Sequence, residues 1–400
     1  MRRAHILHHG PVALVLLALA AACGGEPAAD PTAPPEQPAT GAATAEEESS
    51  ATPADGGEDD SGAAPGTIEE VLAAVDGLTG EERLSALEEM AAEEGGEVTL
   101  YTSMTEELTG LVADAFREAT GVDVNVYRAQ SGTVTQRLIE EVQTGYEGGA
   151  DVAESAAADM ALKNTEGALV AYEPPYLDDL IEGSVYDGWV ATRLNLFVPN
   201  WNTDAVSADE APTSWQDLAD PQWDGRMAME RQDYDWYMMV RDHWLEQEGL
   251  SAEEVDGLFR DMADGAVPVD GHSTAAELLA AGEFELFAHN YSYLVDAAKA
   301  SGAPIDWQLV EPVPVQPNGV GLVTNAPHPA SAVLFFDWLL SEAGQQVVLD
   351  YNLVPALESL VPAEYAEAEL LFPDLEQFIG TYEEITGEYD ELMRIAGESG

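Results

Sequence analysis

The alternation of strand and helix patterns that starts at residue 97 is the feature that most constrains the fold. Val98–Thr102 is a run of β-branched and aromatic residues, as in a buried strand, and Val122–Tyr127 alternates apolar and polar residues, as in a second strand. Helical patterns follow at 106–119 and 134–142, and a short third strand is predicted at 150–153. Strands that alternate with helices form a largely parallel sheet, and ligands bind at the carboxyl ends of its strands. The sequence therefore predicts an α/β fold with a binding edge.

The length of the folded part predicts two lobes rather than one. About 330 residues follow the N-terminal region, which is more than a single hydrophobic core usually supports. Leu194–Val198 has the composition of a strand that leaves the first lobe, and Gly319–Thr324 that of a strand that returns. The predicted divisions are N-terminal helices at 67–96, lobe 1 at 97–198 and 311–330, lobe 2 at 199–310, and C-terminal helices packed on the lobes at 331–400.

The first residues resemble the export signal of a lipoprotein. Arg2 and Arg3 precede an apolar run, Val12–Ala22, which is about half the roughly 20 residues that a membrane-spanning helix needs. The run ends at Cys23, the only cysteine, in a setting that is similar to a bacterial lipobox. We predict a signal peptide at 1–22 and lipid attachment at Cys23; the alternative is a plain secretory signal. Residues 23–66 lack aromatic, Leu, Val, Ile and Met side chains, so we predict a disordered acidic tether there.

The charge balance is strongly acidic. Asp and Glu number 76 against 14 Lys and Arg, which gives a formal net charge of −62. No basic patch is available to displace counterions from phosphates, so nucleic acid is excluded as a partner. Self-repulsion of this size weakens the compact state in dilute buffer, and we predict a halophilic host. The alternative is an acidic protein in ordinary salt that binds cations loosely.

Salt tests the halophilic interpretation directly. We expect the melting temperature to rise between dilute buffer and about 1 M NaCl, because the screening length falls to about 3 Å at that concentration. A melting temperature that does not increase over this range would contradict the interpretation.

A set of segments in a fixed order resembles a known family. They include Val98–Ser103, Ala115–Val124, Gly302–Trp307, Glu311–Val320 and Asn325–Pro329. Together they are similar to family 1 extracellular solute-binding proteins, in the ferric-iron-binding branch. The resemblance implies a two-lobe type II periplasmic-binding fold with a hinge of two crossing strands and a ligand held between the lobes. It also implies a non-enzymatic, monomeric partner of an ABC permease, on the outer face of the cell membrane or in the periplasm.

The same resemblance implies candidate iron ligands. Iron-binding members place two neighbouring tyrosines on the second lobe, with acids or histidine from the first. Here Tyr291 and Tyr293 lie at the expected place, with Ser292 between them, and Glu154 is the candidate acid. On a strand the two tyrosines would share a face, whereas on a helix they would diverge by about 200°. No histidine follows the first predicted strand, so the sequence departs from the iron-binding pattern there as well.

Other candidates follow from helix starts at strand ends, where hydroxyls and free N–H groups favour anionic ligands. The ordinary role of such serines is helix capping, which remains the alternative for each. The predicted ligand-binding residues are Ser103, Met104, Ser131, Gly132, Glu154, Ser155, His272, Ser273, Asn290, Tyr291 and Tyr293.

These observations favour capture of a small solute, either ferric iron or a small organic anion. An exported hydrolase is the first alternative, although the sequence has no Gly-x-Ser-x-Gly, His-Glu-x-x-His or phosphate-loop motif. A surface adhesion or structural lipoprotein is the second alternative. No cofactor is expected, and ferric iron would be cargo.

Overall fold

The computed structural model describes residues 66–146, 148–174, 176–363 and 365–399. The predicted signal peptide, Cys23 and almost all of the predicted tether lie outside these residues. None of the helices in the described ranges has the length and apolar content needed to cross a membrane.

Twelve strands form the described sheet, and their bounds are β1 Glu97–Thr102, β2 Asp123–Arg128, β3 Val152–Ala156, β4 Val185–Tyr186, β5 Trp189–Asn202, β6 Met227–Glu230, β7 Val267–Val269, β8 Leu286–Tyr291, β9 Ile305–Trp307, β10 Val313–Leu322, β11 Val354–Pro355 and β12 Leu370–Leu371. The α-helices of the described ranges are α1 Ile68–Ala74, α2 Gly80–Glu93, α3 Glu106–Thr120, α4 Ser131–Thr144, α5 Ala157–Thr165, α6 Tyr234–Glu246, α7 Ala252–Ala263, α8 His272–Ala281, α9 Ser292–Ala300, α10 Pro329–Leu339, α11 Glu342–Asp350, α12 Leu375–Gly380 and α13 Tyr382–Ser399.

The main strand order is β2-β1-β3-β10-β5-β8-β6-β7. Strands β1, β2 and β3 are parallel, as predicted, and β10 runs antiparallel to both β3 and β5. The first part of β5 pairs with β10, and its last residues pair with β8 and β9. Strands β5 and β10 therefore cross between two α/β lobes, which is the predicted two-strand hinge.

The hinge strands have one apolar and one polar face. Leu194 and Leu196 belong to the lobe 1 core cluster that also contains Val315. On the opposite face, Arg193 lies across from Asn318, and Asn195 lies across from Gln316. Because side chains alternate along a strand, the apolar face anchors the hinge and the polar face is left for the space between the lobes.

A bulge between Asn318 and Gly319 marks the point where β10 enters lobe 1. A Cβ atom on Gly319 would lie 2.3 Å from the ring of Trp189, so only glycine allows this close approach.

The N-terminal helices dock on lobe 1 through a buried ion pair. Thr67 caps α1 by accepting from Glu70 N, and Glu70 Oε2 accepts from Gly66 N. Arg83 Nε on α2 donates to Asp337 Oδ2 on α10 at 2.7 Å, and its guanidinium also donates to the Tyr172 hydroxyl.

The C-terminal helices pack on different lobes. Helix α10 is buried along its length in the lobe 1 core. In α13, Ile385, Tyr389 and Leu392 belong to the lobe 2 core, together with Trp236 and Phe259. The last helix is therefore part of the second lobe.

The predicted end of the third strand at residue 153 was wrong. Strand β3 extends through Glu154 and Ser155 to Ala156, so these two residues lie in a buried strand rather than in a turn, and Ser155 does not open a helix. The capping alternative for Ser103 does not hold, because Thr105 Oγ1 is the group that accepts the hydrogen bond from Leu108 N at the start of α3. The physical reason is that Glu154 and Ser155 have buried partners in Arg193 and Lys163, which allow the strand to continue through two polar residues.

Candidate ligand-binding site

The candidate site lies where strand ends of both lobes meet the polar face of the hinge. Lobe 1 contributes the carboxyl ends of β1 and β3, and lobe 2 contributes those of β6 and β8. Tyr293 connects the two sides, because its ring packs against the core clusters of both lobes.

Glu154 organises the lobe 1 side. Its Oε2 accepts hydrogen bonds from Thr102 Oγ1 at 2.5 Å, from Ser103 N at 3.1 Å and from Met104 N at 3.3 Å. Its Oε1 accepts from Arg193 Nη1 at 2.6 Å, and the carboxylate is fully buried. The predicted ligand residues Ser103 and Met104 are therefore held in place through their backbone amides.

Arg193 and Lys163 place two cations behind this strand end. The second Nη of Arg193 donates to Asn318 Oδ1 at 3.2 Å. Lys163 on α5 is fully buried and donates to Ser155 Oγ at 2.8 Å. Burial lowers the pKa of Lys163 to about 8, against the opposing effect of Asp159 and Glu154.

The lobe 2 side is built around a buried carboxylate between two imidazoles. Asp233 contacts His289 Nδ1 at 2.6 Å and His272 Nε2 at 3.0 Å. Burial alone would raise the pKa of Asp233, but the charges and hydrogen bonds of the two histidines hold it at about 2. Tyr389 of α13 donates to the backbone oxygen of Glu230 at 2.6 Å, and its hydroxyl lies 3.4 Å from His289 Nε2.

An amide on the hinge connects this cluster to the predicted tyrosine. Gln316 Nε2 donates to Asp235 Oδ2 at 2.9 Å, and Gln316 Oε1 accepts from the Tyr291 hydroxyl at 2.8 Å. Burial and the charge of Asp233 raise the pKa of Asp235 to about 6. Burial, together with these two carboxylates, raises the pKa of Tyr291 well above its usual value.

The two predicted tyrosines lie together, although they belong to different elements. Tyr291 ends β8, and Tyr293 is the second residue of α9. Their rings are nearly parallel, with centroids 6.1 Å apart and an interplanar angle of 13°. The ring of His272 packs against that of Tyr291, with the two ring centroids 3.9 Å apart.

The remaining predicted residues have different environments. Ser131 and Gly132 are the first two residues of α4, and the Ser131 hydroxyl is buried with no hydrogen-bond partner in the described chain. His272 opens α8, and its buried Nδ1 likewise has no partner there. Ser273 is exposed, whereas Asn290 is fully buried and accepts from Tyr291 N.

Within the described ranges, no group of three or more His, Cys, Asp or Glu side chains has an arrangement suited to a metal ion.

Sequence reasoning missed Arg193, Gln316 and Asp235 as residues of the site. Arg193 had a detectable signal, because a lone arginine within an apolar strand requires a buried partner. Gln316 and Asp235 gave no such signal in the sequence, because the contact between them depends on how β10 passes the start of α6.

Comparison with known proteins identifies the class. The family of bacterial extracellular solute-binding proteins matches residues 112–373. A relative named Fe(3+)-binding periplasmic protein, from Serratia marcescens, is 24% identical over 274 residues, covering 64% of this chain and 77% of the relative. The chain therefore belongs to the bacterial extracellular solute-binding protein family, as the sequence predicted.

Solved structures agree on the fold. Iron-bound HitA from Pseudomonas aeruginosa matches with a TM-score of 0.59 and 21% identity, over 76% of this chain and 99% of that one. Ferric iron-binding protein A from Mannheimia haemolytica, in an open conformation, matches with a TM-score of 0.62 and 18% identity, over 74% and 98%. MotA from A. tumefaciens, in complex with glucopine, matches with a TM-score of 0.60 and 17% identity, over 74% and 99%. These similarities confirm the type II periplasmic-binding fold.

Proposed function

We propose that this protein captures ferric iron between its lobes and delivers it to an ABC permease. The observation that carries the proposal is the Tyr291–Tyr293 pair, with ring centroids 6.1 Å apart beside the polar face of the hinge. Phenolate oxygens are hard ligands that suit ferric iron. The name of the Serratia relative supports the same cargo.

The electrostatics of lobe 2 support a cationic cargo. Glu230, Asp233 and Asp235 lie close enough to Tyr291 to raise its pKa. The same negative charge that disfavours a free phenolate attracts a trivalent cation, whose own charge then dominates the site. His272 Nδ1, which is buried and without a partner in the described chain, is a further candidate donor.

Glu154, the third predicted metal ligand, supports the site in a different way. Both its oxygens already accept hydrogen bonds, and it would reach iron only by giving up the bond to Arg193. We therefore assign Glu154 to positioning the loop at Ser103 and Met104, and we assign the iron to the tyrosines.

Removal of the Tyr291 hydroxyl tests whether ferric iron is the cargo. We expect the protein with ferric citrate and bicarbonate to show a visible tyrosinate-to-iron absorption band, and we expect Tyr291→Phe to abolish the band and weaken binding at least about a hundredfold. The matched control is Tyr186→Phe: Tyr186 stacks on Trp189, and its buried hydroxyl has no partner in the described residues. Replacing an unpaired hydroxyl costs little, so the control should keep the band.

A small organic anion is the second candidate, and a specific observation favours it. The Arg193 guanidinium and the start of α4, where the Ser131 hydroxyl is unpaired, are groups that bind anions. A melting-temperature increase with phosphonates or carboxylates, together with none for ferric iron, would support this cargo and overturn the first.

Attachment to the membrane through Cys23 belongs to the same proposal and is supported by the lipobox-like residues before it. The intact mass of the mature protein tests it, since a diacylglyceryl group adds several hundred daltons. We further propose that the protein acts as a monomer, and that its family role is binding rather than catalysis.

A further inference from the structure

Gln316 is the one hinge residue whose side chain joins two groups of lobe 2 at the site. It lies on β10 opposite Asn195, and the Asn195 amide approaches its Oε1 at 3.4 Å. Its oxygen accepts from the Tyr291 hydroxyl and its nitrogen donates to Asp235. A single carboxamide therefore uses both of its ends on groups of lobe 2.

The hydrogen bond between Tyr291 and Gln316 involves the phenolic oxygen that would bind ferric iron. The Tyr291 side chain is buried, and within the described chain its hydroxyl donates to Gln316 Oε1 at 2.8 Å. A metal ion on the Tyr291 oxygen takes the place of that proton, which leaves two lone-pair-bearing oxygens facing each other. The carboxamide must then rotate away from Tyr291.

Rotation of the amide also affects Asp235. A carboxamide has one donor end and one acceptor end, so turning it away from Tyr291 moves the donor away from the Asp235 carboxylate. The buried carboxylate would lose its bond of 2.9 Å, which is a charge-assisted bond and therefore stronger than a neutral one. Binding of a metal ion at Tyr291 thus breaks both the hydrogen bond from Tyr291 to Gln316 and the hydrogen bond from Gln316 to Asp235.

We propose that Gln316 is an internal competitor of the cargo, which occupies Tyr291 and Asp235 and so lowers the affinity of the site. This inference rests on the proposed function, because it takes Tyr291 to be a cargo ligand. An importer protein must release its cargo to the permease, and a competitor on the hinge strand recovers two hydrogen bonds at the moment of release.

Replacement of the amide by an apolar side chain of similar shape tests the proposal. We expect Gln316→Met to bind ferric iron, supplied with bicarbonate and measured by competition with citrate, about tenfold more tightly than the parent protein. Gln316→Asn, which is one methylene shorter and cannot span both partners, should shift the affinity in the same direction. The matched control is Gln308→Met, because the Gln308 amide donates to the backbone oxygen of Pro212 in lobe 2; it should change the affinity less than twofold.

The outcomes separate this inference from the proposed function. If the parent protein binds iron and both Gln316 variants bind it equally or more weakly while keeping the parent's melting temperature, Gln316 is a cargo ligand or a support, and the competitor role is overturned. If neither the parent nor the variants bind iron, the proposed cargo and the competitor role are both overturned. Tighter binding by the variants, together with loss of binding in Tyr291→Phe, supports both.

Discussion

Replacement of Arg193 by methionine is expected to lower the free energy of unfolding by about 3–5 kcal/mol, the cost of breaking a buried ion pair by removing one partner. Arg193 and Glu154 are 2.6 Å apart, with side chains 7% and 0% exposed. The variant leaves the buried Glu154 carboxylate without its ion-pair partner, so that only hydrogen-bond donors and the more distant charge of Lys163 act on it. Urea unfolding in about 1 M NaCl measures the change as a shift in midpoint at constant slope.

Two further variants show whether the effect comes from the buried charge. Arg117→Met removes an exposed pair with Asp114, whose side chains are 56% and 73% exposed, and such pairs contribute about 0–1 kcal/mol. The double variant Arg193→Met with Glu154→Gln removes both charges and should recover much of the loss. A single Arg193 variant as stable as Arg117→Met would refute the prediction.

Replacement of Lys163 by methionine is expected to stabilise the protein at pH 7 by about 2–3 kcal/mol. The pKa of Lys163 falls from 10.5 to about 8, and each unit corresponds to about 1.4 kcal/mol. The gain is reduced by loss of the hydrogen bond from Lys163 to Ser155, which is 2.8 Å long. Methionine fills a similar volume without an ammonium group, so no charge has to be taken out of water.

The pH dependence of this gain follows from the direction of the pKa shift. Between pH 8 and about 10 the unfolded chain holds a proton on Lys163 that the folded protein has lost, so the stability of the parent rises with pH in this window. The advantage of Lys163→Met should therefore shrink from pH 7.5 to pH 9.5. A difference between variant and parent that stays constant over these values would contradict the lowered pKa of Lys163.

The two-lobe fold was predictable because it depends on local patterns. The strand pattern that begins at Glu97 matches the burial of β1, and the alternation at Val122–Tyr127 located β2, although Val126 is 43% exposed. The crossing of two strands between the lobes was implied by the family resemblance, and the strands themselves were predicted from the apolar composition of Leu194–Val198 and Gly319–Thr324. These are properties of a strand or helix by itself.

The site was predicted only in part, because its groups meet through tertiary structure. Tyr291 and Tyr293 were identified by position, but the strand and helix alternatives each described only one of them: Tyr291 is in a strand and Tyr293 is in a helix. Glu154 was predicted as a ligand, whereas its partner Arg193 is 39 residues away and could not be paired with it by spacing. The contact of Asp233 with His272 depends on α8 and the contact of Asp235 with Gln316 depends on β10, so neither could be predicted from spacing.

The position of β10 between β3 and β5 has a consequence for how the chain matures. The sheet of lobe 1 is missing its middle strand until Val313–Leu322 has emerged, after all the strands of lobe 2. The strands of lobe 2 form one continuous stretch of the chain between β5 and β10. Helix α13, which completes the lobe 2 core, is synthesised after β10. Synthesis therefore begins the first lobe and cannot finish it before residue 322, so β3 and β5 keep unpaired edges while the strands of lobe 2 are made.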